Sequence, residues 1–170
     1  RVLAHRGPDD HGLWSDPTAG IALAHCRLAI IDLARSAHQP MVSADGRFVI
    51  AYNGEVYNFR SIAAELKAAG RAVVGGSDTV GLLEGCAFWG VERMLAKCVG
   101  MFAFALWDRE DRTLTLARDR LGIKPLYWGR FGELFLFGSE IKALRVHGGW
   151  PEEIDRGALP APEAGRLTEG

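Results

Sequence analysis

Arg27, Asn53, Gly54, Glu55 and Asp78 carry groups whose chemistries complement one another. Asn53-Gly54 offers an amide side chain and an unshielded backbone N–H in one place, two donors of the kind that hold a developing oxyanion. The same dipeptide is a common short-turn pair, and taken alone the turn is the simpler reading. Glu55 sets a carboxylate beside it. Arg27 has a planar fork able to grip a carboxylate bidentately, though an Arg among apolar residues is otherwise a surface residue. Ser77-Asp78-Thr79 reads first as a helix N-cap, and a carboxylate at a cap can still face a cleft and hold an ammonium group. Asp9, Asp10 and His11, with His5 nearby, imitate a metal site in residue type. Their spacing fits no helix or strand face, and Pro8 fixes the local backbone, so no metal is expected there.

One guanidinium and two carboxylates match the two charged ends of a free amino acid, and the Asn-Gly donors match a side-chain carbonyl. The set describes a site for an amino acid carrying an amide, such as glutamine. The residues offer no evident nucleophile to go with it.

Positioning these groups requires strands and helices in a particular order. Arg47 to Tyr52 is apolar and aromatic-rich and predicts a buried strand leading into Asn53. His5 to Gly12 reads as a loop by its Gly, Pro and Asp content, Ile21 to His25 as a strand, and Leu28 to Asp32 as a second apolar piece. Ile62, Leu66 and Ala69 recur at helical spacing, with Gly70 as the stop. A second helix opens at Ser77 or Asp78 and ends before Gly90. Gly81 and Gly85 lie on one face of it, which suggests either a close backbone contact or a poor helix. Met101 to Trp107 is apolar throughout, as in a strand covered on both sides. Thr113 to Arg118 should pair with it as a hairpin, and Tyr127 to Gly129 with Leu134 to Phe137 should form another. Ser139 is expected to cap a last helix over Glu140 to Val146. Between these elements, Arg118 to Tyr127 mixes charge with turn formers, and its Leu121, Ile123 and Leu126 call for burial. Antiparallel strands in two groups, with helices between them, point to an α+β layered domain.

Composition sets the outer bounds. The chain has 170 residues, 48% hydrophobic and 24% charged, the profile of one globular domain. A net charge of −1 gives no cue for nucleic acid or an anionic membrane. No apolar run approaches the roughly 20 residues of a spanning helix. Cys26, Cys86 and Cys98 are odd in number, widely spaced and in no zinc or redox motif, which favours reduced thiols in a cytoplasmic protein. The first residue is Arg1 rather than Met, and a fragment whose beginning is missing is expected. The end, Pro160 to Gly165, reads as a linker or frayed tail.

His5-Arg6-Gly7-Pro8-Asp9, Leu23 to Leu28, Tyr52 to Asn58, Ser77-Asp78-Thr79, Gly100 to Phe104 and Arg118 to Tyr127 occur in one order. Over about residues 1–150 the chain resembles the glutaminase domain of glutamine-hydrolysing asparagine synthetases, a class II glutamine amidotransferase of the N-terminal-nucleophile hydrolase type. The resemblance implies a four-layer αββα sandwich of two antiparallel sheets, here without its first strand, followed by a linker over 151–170 toward a synthetase domain. It implies that Arg27 binds the α-carboxylate of glutamine, that Asn53 (side chain) and Gly54 (backbone N–H) form the oxyanion hole, and that Glu55 and Asp78 hold the α-ammonium. The backbone around Ile30 and Ile31 would line the same pocket. The family's nucleophile is an N-terminal Cys whose own α-amino group acts as base. No such residue is present, so the 170 residues by themselves are expected to be inactive. The family usually has Asp-Thr-Glu where this chain has Asp78-Thr79-Val80, which removes a capping-box acid and puts the helix start in question. No cofactor is implied in this domain; ATP and Mg²⁺ would act in the synthetase domain on aspartate. A homodimer is compatible with the resemblance. The alternatives are a non-catalytic glutamine- or partner-binding module, or an amidotransferase serving a sugar phosphate, a phosphoribosyl acceptor or an antibiotic precursor.

Overall fold

The computed structural model describes residues 2–27, 38–148 and 150. Leu28 to Asp32, with the backbone at Ile30 and Ile31, and the linker expected over 151–170 lie outside them. The strands are β1 (Asp10–Asp16), β2 (Ile21–Arg27), β3 (Met41–Val42), β4 (Phe48–Val56), β5 (Gly100–Asp108), β6 (Thr113–Arg118), β7 (Tyr127–Phe131) and β8 (Leu134–Gly138). The helices are α1 (Phe59–Ala68), α2 (Asp78–Trp89), α3 (Val91–Lys97) and α4 (Ile141–Arg145). All strand pairing is antiparallel among the described residues: a four-stranded sheet in the order β3-β4-β5-β6 and two hairpins, β1-β2 and β7-β8.

β4 and β5 are apolar on both faces because both faces are covered. Phe48, Ile50 and Tyr52 of β4, with Phe102, Phe104 and Leu106 of β5, meet Ile62 and Leu66 of α1, Leu82, Leu83 and Cys86 of α2, and Met94 of α3. Val49, Ala105 and Trp107 face the other way, against Leu23 of β2, and Phe137 of β8 packs on that same cluster. The two hairpins therefore cover one face of the sheet and α1–α3 the other, a layered α+β sandwich. α4 packs against β8 through Leu144, near Gly138.

The helix starts follow local chemistry. Ser77 Oγ accepts from the Val80 N–H at 3.4 Å, so α2 begins where expected without the capping-box acid. Gly85 has a close contact, with a side chain rather than with backbone, since a Cβ there would lie 2.3 Å from Met94 Sδ; Gly81 has no close contact. α2 is unbroken across both glycines. α4, by contrast, has Glu140 rather than Ser139 at its N-cap position, without a side-chain cap bond.

Two expectations are corrected. Asp10 to Gly12 is strand rather than loop, the start of β1, whose Leu13 is 75% exposed and so gives no apolar signal. In the segment after β6, Leu121 and Ile123 are exposed rather than buried, at 86% and 55%. Order there is polar instead. The Asp119 carboxylate accepts from the N–H groups of Leu121, Ile123, Lys124 and Phe102. Arg118 donates to the carbonyls of Gly122 and Lys124. Burial alone would raise the Asp119 pKa; the four N–H bonds outweigh it and hold it low.

A fully buried ring at the centre of this core should be costly to remove. Phe104→Ala is expected to destabilise by about 3–5 kcal/mol, read as a lowered urea midpoint; a change under about 1 kcal/mol would contradict the packing described. The acid limb of stability has a defined sign. Burial opposes the charge on Asp108, but hydrogen bonds from Arg47 and from the Asp111 and Glu110 N–H groups keep its pKa low. Glu140, bonded by Lys142, Arg6 and His5, is lowered from 4.5 to about 2. Groups with depressed native pKa stabilise fully above their unfolded values and lose that stabilisation as pH falls toward the native ones. The urea midpoint should hold above about pH 5 and fall below about pH 4, with a shallower fall in Asp108→Asn. A midpoint that rises on acidification would contradict this.

Candidate active site

β4 is a strand with one satisfied edge and one exceptional edge. The hydrogen bonds from the Tyr57 N–H to the Val99 carbonyl and from the Arg109 N–H to the Arg47 carbonyl, which continue the β4–β5 ladder at either end, fix its parity: odd-numbered residues bond to β5. Even-numbered residues direct their N–H and C=O groups to the opposite edge. β3 covers that edge only at Val49 and Ile50. Beyond it, side chains take over. The Tyr52 N–H donates to Gln39 Oε1 at 2.6 Å, and the Val56 N–H donates to Asp78 Oδ2 at 2.9 Å. Gly54 lies between these two, with its N–H on the same edge, beyond the reach of β3.

Asn53-Gly54 is thus not a turn. It lies inside a nine-residue strand, with Asn53 opposite Ala103 and Gly54 opposite Phe102. Glycine is required because a Cβ on residue 54 would come within 2.3 Å of the Met101 carbonyl oxygen. Alternation puts Asn53 and Glu55 on the face away from the helices. Glu55 is exposed and Asn53 half-buried.

Asp78 reaches the edge from the helical layer. Its Oδ1 accepts from the Thr79 N–H at 2.8 Å, while Oδ2 accepts from the Tyr52 hydroxyl at 2.6 Å as well as from Val56. Burial, and then the Asp78 charge, raise the Tyr52 pKa, so the phenol stays a donor. From the other layer, β2 brings His25, Cys26 and Arg27. The His25 ring interacts with the backbone carbonyl of Tyr52; desolvation nevertheless lowers its pKa and favours the neutral imidazole. Arg27 ends β2 opposite Asp10, half-buried, and its charge is felt by both Asp10 and His25.

A cavity of about 380 Å³ opens beside these groups. Its walls come from β2, β8 and α4, and from Ala51, Asn53, Ala103 and Ala105 of the central sheet. Alanines where larger side chains would close the space leave the volume open, which falls within the ~300–1,000 Å³ of small-molecule sites. Of the residues singled out from sequence, Asn53 lines this cavity; Arg27 does not, although its neighbours His25 and Cys26 do. Gly54, Glu55 and Asp78 lie along the adjoining edge of β4. Gln39, Tyr52 and His25 escape a reading of the sequence. Gln39-Pro40 carries only a turn signal, and the amide is recruited by a strand remote in sequence. Cys86 and Cys98 are buried, and desolvation pushes their thiols up to about 12 and about 11. Such thiols are poor nucleophiles. Among the described residues no group of three or more His, Cys, Asp or Glu side chains could hold a metal ion, and no helix is long and apolar enough to cross a membrane.

The glutamine amidotransferase domain family model matches residues 1–163. Asparagine synthetase [glutamine-hydrolyzing] 3 of Bacillus subtilis is 40% identical over 160 residues, which cover 93% of this chain and 25% of that protein. A putative asparagine synthetase [glutamine-hydrolyzing] of Mycobacterium tuberculosis is 42% identical over 169 residues, covering 93% of this chain and 26% of the relative. The chain thus spans about a quarter of the length of these relatives. Among solved structures, the glutamine phosphoribosylpyrophosphate amidotransferase of B. subtilis superposes with a TM-score of 0.62 at 24% identity, over 74% of this chain and 29% of that one. That likeness concerns the fold alone. On its sequence match over nearly its whole length, the chain belongs to the glutamine amidotransferase domain family.

Proposed function

We propose that this chain is the glutamine-hydrolysing part of an asparagine synthetase, acting in the cytoplasm on free glutamine and passing ammonia to a C-terminal synthetase domain of the same polypeptide. What supports this function is the free edge of β4: Gln39 and Asp78 claim the N–H groups on either side of Gly54, and Asn53 lines a cavity from the same strand. Two donors on a rigid strand, flanked by satisfied groups, are the arrangement that stabilises a tetrahedral oxyanion with little reorganisation.

In this mechanism Arg27 binds the α-carboxylate of glutamine, and Glu55 and Asp78 hold its α-ammonium. Asp78 has a double role, because its carboxylate also ties α2 to β4. The side-chain carbonyl of glutamine faces Asn53 Nδ2 and the Gly54 N–H. A cysteine thiolate adds to that carbon, its proton taken by a free α-amine; ammonia leaves from the tetrahedral adduct, and water cleaves the thioester to glutamate. Cys26 lines the cavity, but as an internal residue of β2 it has no free α-amine to serve as base. In this reading the nucleophile is the N-terminal cysteine that the family resemblance implies. The glutaminase step needs no cofactor; ATP and Mg²⁺ serve the activation of aspartate in the synthetase domain.

In the full-length protein, Arg27→Ala is expected to raise the glutamine KM by orders of magnitude, because a buried carboxylate would lose its charge partner. An unchanged KM would remove Arg27 from the site. Asn53→Ala should lower kcat for glutamine hydrolysis by about 10²–10³ with a smaller change in KM. Ammonia-dependent asparagine formation should persist in both variants, and its loss along with glutaminase activity would point to unfolding rather than to the site.

A further inference from the structure

Gln39 is 8% exposed and comes from a connection between strands, yet its side chain serves as a strand. Its Oε1 accepts the Tyr52 N–H at 2.6 Å, where β3 no longer reaches. The residue is held in turn: β1 crosses so close that a Cβ on Gly12 would lie 1.7 Å from the Gln39 carbonyl oxygen. The Tyr52 hydroxyl reaches Asp78. Tyr52 is thereby held through its N–H and its phenol, each by a different element. The next peptide along belongs to Asn53, and the next N–H on that edge to Gly54.

We infer that Gln39 is a positioning residue for the oxyanion donors: its side-chain amide replaces a strand partner at Tyr52 and so fixes the peptide that aims Asn53 and Gly54. This rests on the function proposed above. Without the acceptor, a buried N–H one residue before Asn53 is unsatisfied and must turn toward another oxygen, carrying the strand with it. Of the ligands for the two charged ends of glutamine, Arg27 is on β2 and Asp78 on α2; only Glu55 shares β4, on the far side of Gly54. Loss of Gln39 therefore weakens stabilisation of the developing oxyanion and leaves ground-state binding nearly intact.

The test is steady-state glutaminase kinetics in the full-length protein with Gln39→Met, which keeps length and volume but has no oxygen, and Gln39→Glu, which restores one. Gln39→Met should lower kcat by roughly 10- to 100-fold with KM within about threefold, and Gln39→Glu should recover most of the loss. If Gln39→Met does not fold, Gln39→Asn, which withdraws the acceptor by one methylene, is judged by the same kcat-against-KM criterion. Gln39→Met with wild-type kcat, or with a kcat that falls no more than its KM rises, overturns the inference. Asn53→Ala measured alongside separates the two levels. If Asn53→Ala lowers kcat and Gln39→Met does not, only Gln39 is excluded; if neither does, the oxyanion site itself is wrong.

Discussion

The constraint on which the rest depends is the edge of β4 past Ile50, where backbone donors and acceptors emerge with no neighbouring strand among the described residues to receive them. A buried, unpaired N–H costs about 1–3 kcal/mol, so the edge has to be answered group by group. Gln39 answers at Tyr52 and Asp78 at Val56. These come from a connection beside β1 and from a helix on the other face. Satisfying one edge thus joins the layers of the sandwich at the place where the candidate site lies.

That solution needs β4 to be immobile, and both-face burial makes it so. Phe104 on one side and Trp107 on the other belong to a neighbouring strand with no solvent face. Gly54 and Gly100 remove the Cβ atoms that would hold β4 and β5 apart at the site end, where the clearances are 2.3 Å and 2.1 Å to carbonyl oxygens of the neighbouring strand. The donors sit on the stiffest part of the fold, while the cavity beside them is open because the facing positions are alanines. Rigidity under the donors and space in front of them come from the same alternating pattern.

Charge is distributed on the same plan. Carboxylates do structural work by accepting backbone N–H groups: Asp119 orders the segment after β6, Asp78 ties α2 to β4, and Glu84, buried in α2, accepts from the Ala44 N–H. Arginines are anchored at the margins, Arg47 by Asp108 and Asp111 and Arg6 by Glu140. The buried thiols of Cys86 and Cys98 are kept neutral by desolvation and belong to the core.

Much of this was written in the sequence. Helix α2 with its Ser77 cap, the both-face apolar strand β5 and the hairpins follow from residue type and period, because these depend on neighbours a few positions away. Three things depended on the tertiary structure. Asn53-Gly54 reads locally as a turn, and only the contact with the Met101 carbonyl shows why glycine sits inside a strand. β1 is hidden because its outward residues face solvent and its inward ones are mixed. Gln39 carries no chemical signal until the fold brings it across 13 residues to the Tyr52 N–H. Periodicity reports what a residue's own element needs; which distant side chain completes an unpaired strand edge is decided by packing, since an unsatisfied hydrogen bond specifies an acceptor but not where in the chain it comes from.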